Sequence, residues 1–519
     1  MAAASEPAPA SAPHWQPGGL AGVLGSGDHK VIGRLYIGCS LLFGGAVIVL
    51  SALFGVEAIK PSTLEVFSAD TVFQLWTLMR VGQVFLLAMP LVIGVAMVVV
   101  PLQVGSRAIA FPRAAAASFW GWAVGSLLLI ASYAANGGPG GGSSIGVNLW
   151  LVSLALVVVS LLLAAACLAT TVLALRAPGM TIARTPLFAW SAAVASITWL
   201  LSLPVLVGSL ALMYVDHRHG GSTYGTNAEL FGRIGWVLRN PQIYVVAVPV
   251  LGVAADVLAT TARTRIAPRP VALGSIAALG VLSFGAYLAA ATAGALDSWL
   301  VIGAALLAVL PVLGTLGIAG DLFRRGSLRI NTATGYAIAA LLLLLIAVAA
   351  GAVGSIPAFD AAGTIYDVGV AHAVLLAALT GAFAAIHWWA TKIGRQPANE
   401  SIGRLAPPLL LLGTLLVIIP DLVAGLVGDG TELAPDWSGG IKGLNVLLPI
   451  GVALLALGIV VALVSFLPLF RSADDVPADP WEGQTLEWLA PSPPPLANFT
   501  GDLPTVASAE PLVDQREEK

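Results

Sequence analysis

Charged residues are scarce in this chain of 519 residues. Asp, Glu, Lys and Arg together supply 10% of the sequence, whereas hydrophobic residues supply 58%. Soluble globular proteins carry roughly a quarter charged residues, so this composition excludes an ordinary soluble protein. It predicts an all-α polytopic membrane protein. The formal net charge of -3 indicates no particular charged partner, and we expect no nucleic-acid binding.

Cysteine and histidine are also rare. Cys39 and Cys167 are the two cysteines, and both fall in apolar runs, where a cysteine is more often a packing residue than half of a disulfide or metal site. Of the six histidines, only His372 and His387 fall within apolar runs long enough to be membrane helices. This scarcity excludes a membrane-embedded site that needs many imidazole ligands.

Long apolar runs dominate what is present. A helix needs roughly 20 residues to cross about 30 Å of hydrocarbon, and this criterion predicts twelve transmembrane helices. Lys and Arg are concentrated in the loops of one side, so the positive-inside rule predicts a cell-membrane protein with both termini cytoplasmic. The predicted helices are 32–56, 73–102, 114–135, 147–175, 187–214, 241–261, 271–293, 298–320, 333–354, 366–390, 406–428 and 443–470.

The two ends of the chain differ in composition from the middle. Residues 1–28 are rich in Ala, Pro, Ser and Gly without periodicity, which predicts a disordered cytoplasmic leader. No basic segment followed by an apolar core occurs there, so we expect no cleaved signal peptide. Residues 29–471 form the predicted membrane domain. Residues 472–519 form a Pro-rich cytoplasmic tail, predicted to be extended and able to dock other subunits.

The stretch Asn240-Pro241-Gln242-Ile243-Tyr244 opens the sixth predicted helix, with Asn as the N-cap and Pro at the first helical position. It resembles the His-Pro-Glu-Val-Tyr that opens the sixth helix in subunit I of the haem-copper oxidases, the catalytic subunit of cytochrome c oxidase. The segments 28–33, 100–105 and 485–499 also resemble that family's sequence. The resemblance covers nearly the whole chain and implies a subunit I-like bundle of twelve helices.

The family's copper and proton-transfer positions are altered here. In the family, the His of the sixth-helix motif binds copper and the Glu relays protons, whereas this chain has Asn240 and Gln242 and keeps Tyr244. The two copper ligands of the seventh helix correspond to Ala289 and Ala290, which have no donor atom for a metal. The proton-feeding Lys of the eighth helix corresponds to Thr315. The resemblance therefore implies a degenerate member, a pseudoenzyme with no copper and no oxygen reduction.

Two residues bear on haem binding. Met79 occupies the position of a low-spin haem ligand in the family's second helix, and Ala371-His372-Ala373-Val374 resembles the family's Ala-His-Phe-His. The motif aligns His372 with the high-spin ligand, whereas counting back from Phe383 and Trp389 places it nearer the low-spin ligand. We expect no cofactor, with His372 hydrogen-bonded inside the bundle. The alternative is one low-spin haem with Met79/His372 ligation, which suits electron transfer.

Arg80 is a charge inside a predicted membrane helix, where it normally needs a partner. Asp421 lies at a similar depth in the eleventh predicted helix. We therefore predict a buried Arg80–Asp421 pair that fills the space of the family's haem. The alternative is that each side chain extends separately to the membrane surface.

Three functions follow from these patterns. The first is a non-catalytic structural or assembly subunit that binds other membrane subunits of an oxidase-like complex. The second is an electron-transfer haem protein that uses Met79 and His372. The third is a channel or transporter with a polar path lined by Arg80, Asp421, Asp256 and Gln242.

Overall fold

A computed structural model describes residues 19–57, 69–221, 223–225, 229–284, 295–427, 431–433, 437, 439–471 and 476–518. Within these ranges the regular secondary structure is helical throughout, with no strand. The predicted all-α class is therefore confirmed.

The membrane domain is a bundle of helices that we number α1 to α12. The second is continuous through a π-helical segment, Gln83–Ala88, and the sixth begins with a 3₁₀ segment, Gln242–Ala247. The bounds are α1 His29–Glu57, α2 Ala69–Gln103, α3 Pro112–Ala134, α4 Ser144–Ala174, α5 Leu187–Arg218, α6 Gln242–Thr261, α7 Arg269–Leu282, α8 Trp299–Arg325, α9 Thr332–Gly354, α10 Ile365–Trp388, α11 Ala406–Val427 and α12 Leu447–Ser465.

Eleven helices in the described part of the chain are long and apolar enough to cross a membrane, close to the predicted twelve. The remaining helix is α7, which has 14 residues as described. The second half of its predicted span, including Ala289 and Ala290, lies outside the described residues.

Helix α2 lies at the centre of the bundle. Its most apolar window is completely buried, whereas the corresponding windows of α1 and α12 are only 22% and 28% buried. The run of Val, Leu, Ile and Met residues along α2 is apolar on every side, which is typical of a helix surrounded by others. Gly94 allows α1 to approach closely, because a Cβ there would lie 2.8 Å from the Cβ of Tyr36.

The short helix Gly19–Leu24 and the C-terminal tail lie on one side of the bundle. We call this side the terminal face, defined by the ends of helices at His29, Gln103, Trp388 and Ser465, and the other side the opposite face. Of the predicted disordered leader, residues 1–18 lie outside the described residues. The prediction is wrong for Gly19–Leu24, which form a short helix.

The C-terminal tail is folded against the terminal face. The prediction of an extended segment is incomplete, because the tail contains a 3₁₀ turn, Leu486–Leu489, and a helix, Pro511–Glu517. Glu487 and Trp488 in this turn are almost fully buried. Trp488 packs edge-on against Trp388 at the end of α10, with ring centroids 5.8 Å apart. These buried side chains attach the tail to the membrane domain.

Candidate functional site

A cavity of about 280 Å³ lies among α1, α2, α10, α11 and α12. Most of its wall is apolar, because these helices present Leu, Val, Ile and Ala side chains to it. Polar side chains gather in one part of the wall. They are Ser51, Gln83, His372, Asp421, Glu432 and Trp437. Met79, predicted as a haem ligand, also lines the cavity.

His372 is hydrogen-bonded to α2. Its Nε2 atom lies 3.1 Å from Nε2 of Gln83, whose amide group also donates to Oγ of Ser51 at 3.2 Å. Because an amide nitrogen is only a donor, Nε2 of His372 accepts and Nδ1 carries the proton in the neutral ring. Nδ1 lies 3.7 Å from Oδ2 of Asp421, which is beyond hydrogen-bond distance. His372 therefore has a hydrogen-bond partner inside the bundle.

Three buried polar atoms in the cavity wall have no hydrogen-bond partner within the described part of the chain. They are Oε1 of Gln83, Nδ1 of His372 and Nε1 of Trp437. Buried polar groups in native proteins are nearly always hydrogen-bonded, since an unpaired one costs about 1–3 kcal/mol. This cavity therefore has unused capacity to bind a polar group.

The predicted Arg80–Asp421 pair is not formed in this structure. Among the described residues, Asp421 has its nearest ionisable partner in His372, and it has no contact within 4 Å to a nitrogen of Arg80. Arg80 is nonetheless buried, and its guanidinium lies 5.9 Å from the ring centroid of Trp76. Asp421 lines the cavity, whereas Arg80 does not. An Arg80–Asp421 ion pair therefore does not fill the space of the family's haem, as the prediction required.

The charged neighbours of Arg80 lie toward the opposite face. Glu432, Asp367 and Asp421 are the acids whose charges act favourably on its guanidinium. Both Glu432 and Asp367 also interact with Arg239, at 2.7 Å and 3.7 Å respectively. Arg80 therefore belongs to a cluster of two cations and two acids at the opposite face.

The side chains at the family's copper and proton positions are bound to neighbouring helices. Nδ2 of Asn240 donates to the carbonyl of Gly351 on α9 at 2.8 Å, and Nε2 of Gln242 donates to Oγ of Ser202 on α5 at 3.1 Å. Tyr244 is fully buried, and any Cβ at Gly351 would overlap its hydroxyl. Thr315 donates to the carbonyl of Pro311 in its own helix at 3.1 Å. These positions are packed as ordinary helix contacts.

Copper does not fit the residues present. The described ranges contain no group of three or more His, Cys, Asp or Glu placed to hold a metal ion. Asn240 offers an amide whose nitrogen is already engaged, and alanine at positions 289 and 290 supplies no donor. A protein copper site needs imidazole or sulfur ligands in a defined geometry.

The residues of the cavity fit a haem only in part. Met79 and His372 line the same cavity, as the alternative prediction requires. The family's pair of imidazoles is absent there, since His372 is the only histidine among the described residues of this cavity wall. Its Nε2 atom is also occupied by Gln83. A bis-imidazole haem therefore does not fit, and Met79/His372 is the remaining axial pair.

A second cluster of buried polar side chains lies at the terminal face. The sequence does not predict that these side chains meet. Nε2 of Gln103 donates to Oδ2 of Asp256 at 3.0 Å and lies 3.3 Å from Oε1 of Glu487. The same Glu487 oxygen accepts from Nε1 of Trp389 at 3.1 Å. Burial raises the pKa of Glu487 to about 7, with nearby Asp256 adding to the shift. Gln103 and Glu487 both lie in segments that carry the family resemblance, but nothing in the sequence pairs them.

Asp256 has a structural role in this group. Its carboxylate accepts from the backbone N–H groups of Leu187 and Phe188 at 3.1 and 3.0 Å, which satisfies the start of α5. Asp256, Gln242 and Arg80 do not line the 280 Å³ cavity, whereas Asp421 does. The four residues predicted to line one polar path are thus distributed over separate environments.

Comparisons with known proteins agree on one family. The family model for cytochrome c and quinol oxidase polypeptide I matches residues 31–471. The chain is 28% identical to cytochrome c oxidase subunit 1 of Bacillus subtilis, covering 93% of this chain and 81% of that protein. It is 29% identical to cytochrome bo(3) ubiquinol oxidase subunit 1 of Buchnera aphidicola from Schizaphis graminum, covering 91% and 76%.

A solved structure supports the fold independently. A chain of a haem-copper terminal oxidase dimer, determined by cryo-EM, matches with a TM-score of 0.67. The match covers 86% of this chain and 85% of that chain, at 14% sequence identity. The likeness therefore extends over most of the bundle.

Proposed function

The chain belongs to the cytochrome c and quinol oxidase polypeptide I family, and from this premise we propose that it does not reduce oxygen. Its role is that of a structural or assembly subunit in a respiratory-type membrane complex. It lies in the cell membrane with both termini in the cytoplasm, and other membrane subunits of an oxidase-like complex are its partners.

The environment of Asn240 carries this proposal. A copper ligand at this position would need a free lone pair directed into the bundle, whereas the Asn240 amide nitrogen has no free lone pair and donates to the Gly351 carbonyl. Gln242 is likewise a hydrogen-bond donor to Ser202 and cannot carry a titratable proton. Together with alanine at 289 and 290, these side chains leave no means of binding copper at this position.

A scaffold role is consistent with what the chain retains. The fold resembles that of a haem-copper oxidase chain over most of its length. The tail is fastened to the terminal face by buried side chains such as Asn498 and Lys392. A chain that keeps its fold and its tail contacts, but not its metal ligands, is suited to hold partners in place.

The direct test uses the full chain purified from its native membranes, alone and with the subunits that remain bound. Copper content is measured together with oxygen uptake in the presence of a reductant, with Bacillus subtilis oxidase as the positive control. We expect no copper and no uptake by the isolated chain. Stoichiometric copper with oxygen uptake would refute the proposal.

The structural role has a separate test. Deleting the chain should reduce the amount of assembled respiratory complex seen on native gels, and a copy carrying Asn240→Ala should restore it, because no chemistry depends on this side chain. Unchanged assembly in the deletion strain would contradict the structural role while leaving the absence of catalysis intact.

One observation favours a second candidate function, electron transfer through a single low-spin haem. Met79 and His372 line one cavity and would hold the haem, which would supply one-electron redox chemistry. A reduced-minus-oxidised absorption spectrum of the purified chain tests this. A haem band that Met79→Leu shifts and His372→Leu removes would favour electron transfer, and a featureless spectrum would exclude it.

A further inference from the structure

The 3₁₀ turn Leu486–Leu489 of the tail is inserted into the terminal face. Leu486, Glu487 and Trp488 are each at most 3% exposed, and Trp488 packs against Trp388 at the end of α10. The two apolar side chains explain why the turn docks there, since docking removes their surface from water. Glu487 is buried together with them, so docking also removes a carboxyl group from water, which opposes docking when the group is ionised.

The side-chain hydrogen bonds to Glu487 converge on one of its two oxygens. Oε1 accepts from Nε2 of Gln103 at 3.3 Å, Nε1 of Trp389 at 3.1 Å and Oγ1 of Thr485 at 2.8 Å. Oε2 is buried and has no hydrogen-bond partner among the described residues. An ionised carboxylate divides its charge between both oxygens, so it would leave half of this charge without a donor. A neutral acid fits this environment, with its proton on Oε2.

The charged groups that face Glu487 do not neutralise an ionised carboxylate. They are Asp256 of α6 and Lys392, which follows α10. The Lys392 Nζ atom donates to three oxygens of the tail and lies more than 4 Å from the carboxylate. No other cationic nitrogen of the described residues lies within 4 Å of it, and the neighbours from α2 and α10, Gln103 and Trp389, are uncharged. An ionised Glu487 would therefore be buried without an ion pair.

Asp256 determines which of the two acids takes the proton. Its Oδ2 atom accepts from the same Gln103 nitrogen at 3.0 Å, so one amide group joins both acids. Two backbone N–H groups at the start of α5 and the charge of Arg269 favour the ionised form of Asp256. Its negative charge then disfavours a second one on Glu487. Burial raises the pKa of Glu487 to about 7, and the Asp256 charge adds to this rise.

We propose that Glu487 is a proton-dependent latch for the tail. When Glu487 is protonated, the turn Leu486–Leu489 stays docked against the ends of α2 and α10. When Glu487 ionises, the turn moves into water, where the charge is solvated. Lys392 binds the tail at Ala478 and Ser492, before and after the turn, so the opening is local. The docked turn thus responds to the pH of the aqueous phase at the terminal face.

The test is hydrogen–deuterium exchange of the full chain in lipid nanodiscs at a series of pH values. The backbone N–H groups of Trp488 and Ala490 donate to carbonyls within the turn, so their exchange reports its opening. Intrinsic exchange also depends on pH, so each rate is divided by the rate of Glu487→Gln, whose side chain cannot ionise, at the same pH. We expect this ratio to rise about tenfold between pH 6 and pH 8 and then to level off, since ionisation of Glu487 weakens docking. A constant ratio over this range would overturn the latch.

Two further variants test the residues that the latch uses. Glu482→Gln removes an exposed acid of the same tail and should reproduce the wild-type ratio at every pH, whereas loss of the rise in this variant would overturn the assignment to Glu487. Asp256→Asn preserves the shape of the side chain but removes its charge, so the rise should occur at lower pH. A rise at the wild-type pH in Asp256→Asn would overturn the pairing of the two acids.

Peptides from α9 distinguish local opening of the turn from unfolding of the bundle. At pH 8 the turn should exchange well before α9, because the latch opens without separating the helices. Exchange of the turn and α9 at the same rate would overturn the latch, since the turn would then leave the terminal face only when the whole protein unfolds.

Discussion

The tail contact around Asn498 at the terminal face and the cavity around Gln83 differ in how completely their buried amide side chains are hydrogen-bonded. At the terminal face, Asn498 is fully buried, accepts from His29 and Lys30, and donates to the carbonyl of Ser106 at 2.8 Å. In the cavity, Gln83 and His372 each have one buried polar atom without a hydrogen-bond partner among the described residues. The Asn498 amide therefore joins the tail to the bundle with both of its polar atoms, whereas the Gln83 amide uses only its nitrogen.

This difference indicates which contacts the fold depends on. The tail contacts connect residues that are hundreds of positions apart in the chain, so changing one of them disturbs several helices. At the positions that the resemblance aligns with copper binding and proton transfer, Asn240 donates to Gly351 of α9 and Thr315 donates to Pro311 of its own helix. Under the proposed function, the fold and the tail contacts persist without the family's copper ligands.

The largest effect is expected at Lys392. Its Nζ atom is buried and donates to the carbonyls of Ala478 and Ala490 and to Oγ of Ser492. Lys392→Met leaves these acceptors unpaired and should lower the free energy of unfolding by about 3 kcal/mol or more, since hydrogen bonds to charged groups are strong. Limited proteolysis should cleave the tail faster in the variant.

The control for this change is Lys442→Met. Lys442 is exposed near the opposite face, so its replacement should leave tail cleavage at the wild-type rate. Equal protease resistance of Lys392→Met and wild type would show that the tail is held by other contacts.

The next effect is a pH dependence that originates at Glu487. Its pKa is raised from 4.5 to about 7, so the folded protein binds this proton more tightly than the unfolded chain. The contribution of Glu487 to stability is therefore most favourable below pH 4.5, falls as the pH rises from 4.5 to 7, and is constant above. The shift corresponds to about 3 kcal/mol between these limits.

Glu487→Gln should remove this dependence and make the protein more stable than wild type at pH 8. Denaturant unfolding between pH 5 and 8 measures the slope. Glu482→Gln is the matched control, since Glu482 lies in the same tail with an exposed side chain. A wild-type slope that persists in Glu487→Gln would assign the titration to another group.

A smaller effect distinguishes the packing of the two regions. Leu379 lines the cavity, whereas Leu344 of α9 is buried in the main core without lining it. Substitution of a buried Leu by Ala costs about 2–5 kcal/mol, and the cost is larger where the Leu side chain is packed closely on every side. We expect Leu379→Ala to cost about 2 kcal/mol and Leu344→Ala about 1 kcal/mol more in unfolding measurements. Equal costs would show that the cavity is filled in the purified protein.

The smallest effect is expected from restoring one ligand. Asn240→His returns an imidazole to the sixth helix, but alanine at 289 and 290 supplies no further donor. The variant should lose the hydrogen bond to Gly351, worth about 1 kcal/mol, and should gain no copper. Copper analysis of the purified variant checks this expectation, and stoichiometric uptake would point to ligands elsewhere in the bundle.

The helices can be predicted closely from the sequence because their apolar runs are long and uninterrupted. The second apolar run predicts a span over 73–102, and α2 extends over Ala69–Gln103. The family also follows from ordered motifs at both ends of the chain. These features are local, so a single sequence contains them.

Contacts between distant segments cannot be predicted in the same way. Arg80 and Asp421 have similar predicted depths, but the lateral position of each side chain depends on how α2 and α11 pack, which neither span encodes alone. Hydropathy assigns His29 to a loop, yet it begins α1 and bonds Asn498 of the tail. The neighbouring tryptophans predict a position at the membrane surface for His387, yet it is buried near Glu400, with 3.7 Å between Nδ1 and Oε1. In each case the partner belongs to a different segment of the chain.

The most direct test of the central claim is the copper content of the full-length chain purified from its native membranes, measured beside Bacillus subtilis oxidase prepared identically. We predict copper far below one equivalent per chain, where the reference protein retains its full complement. One tightly bound equivalent that survives chelation would contradict the loss of the copper site.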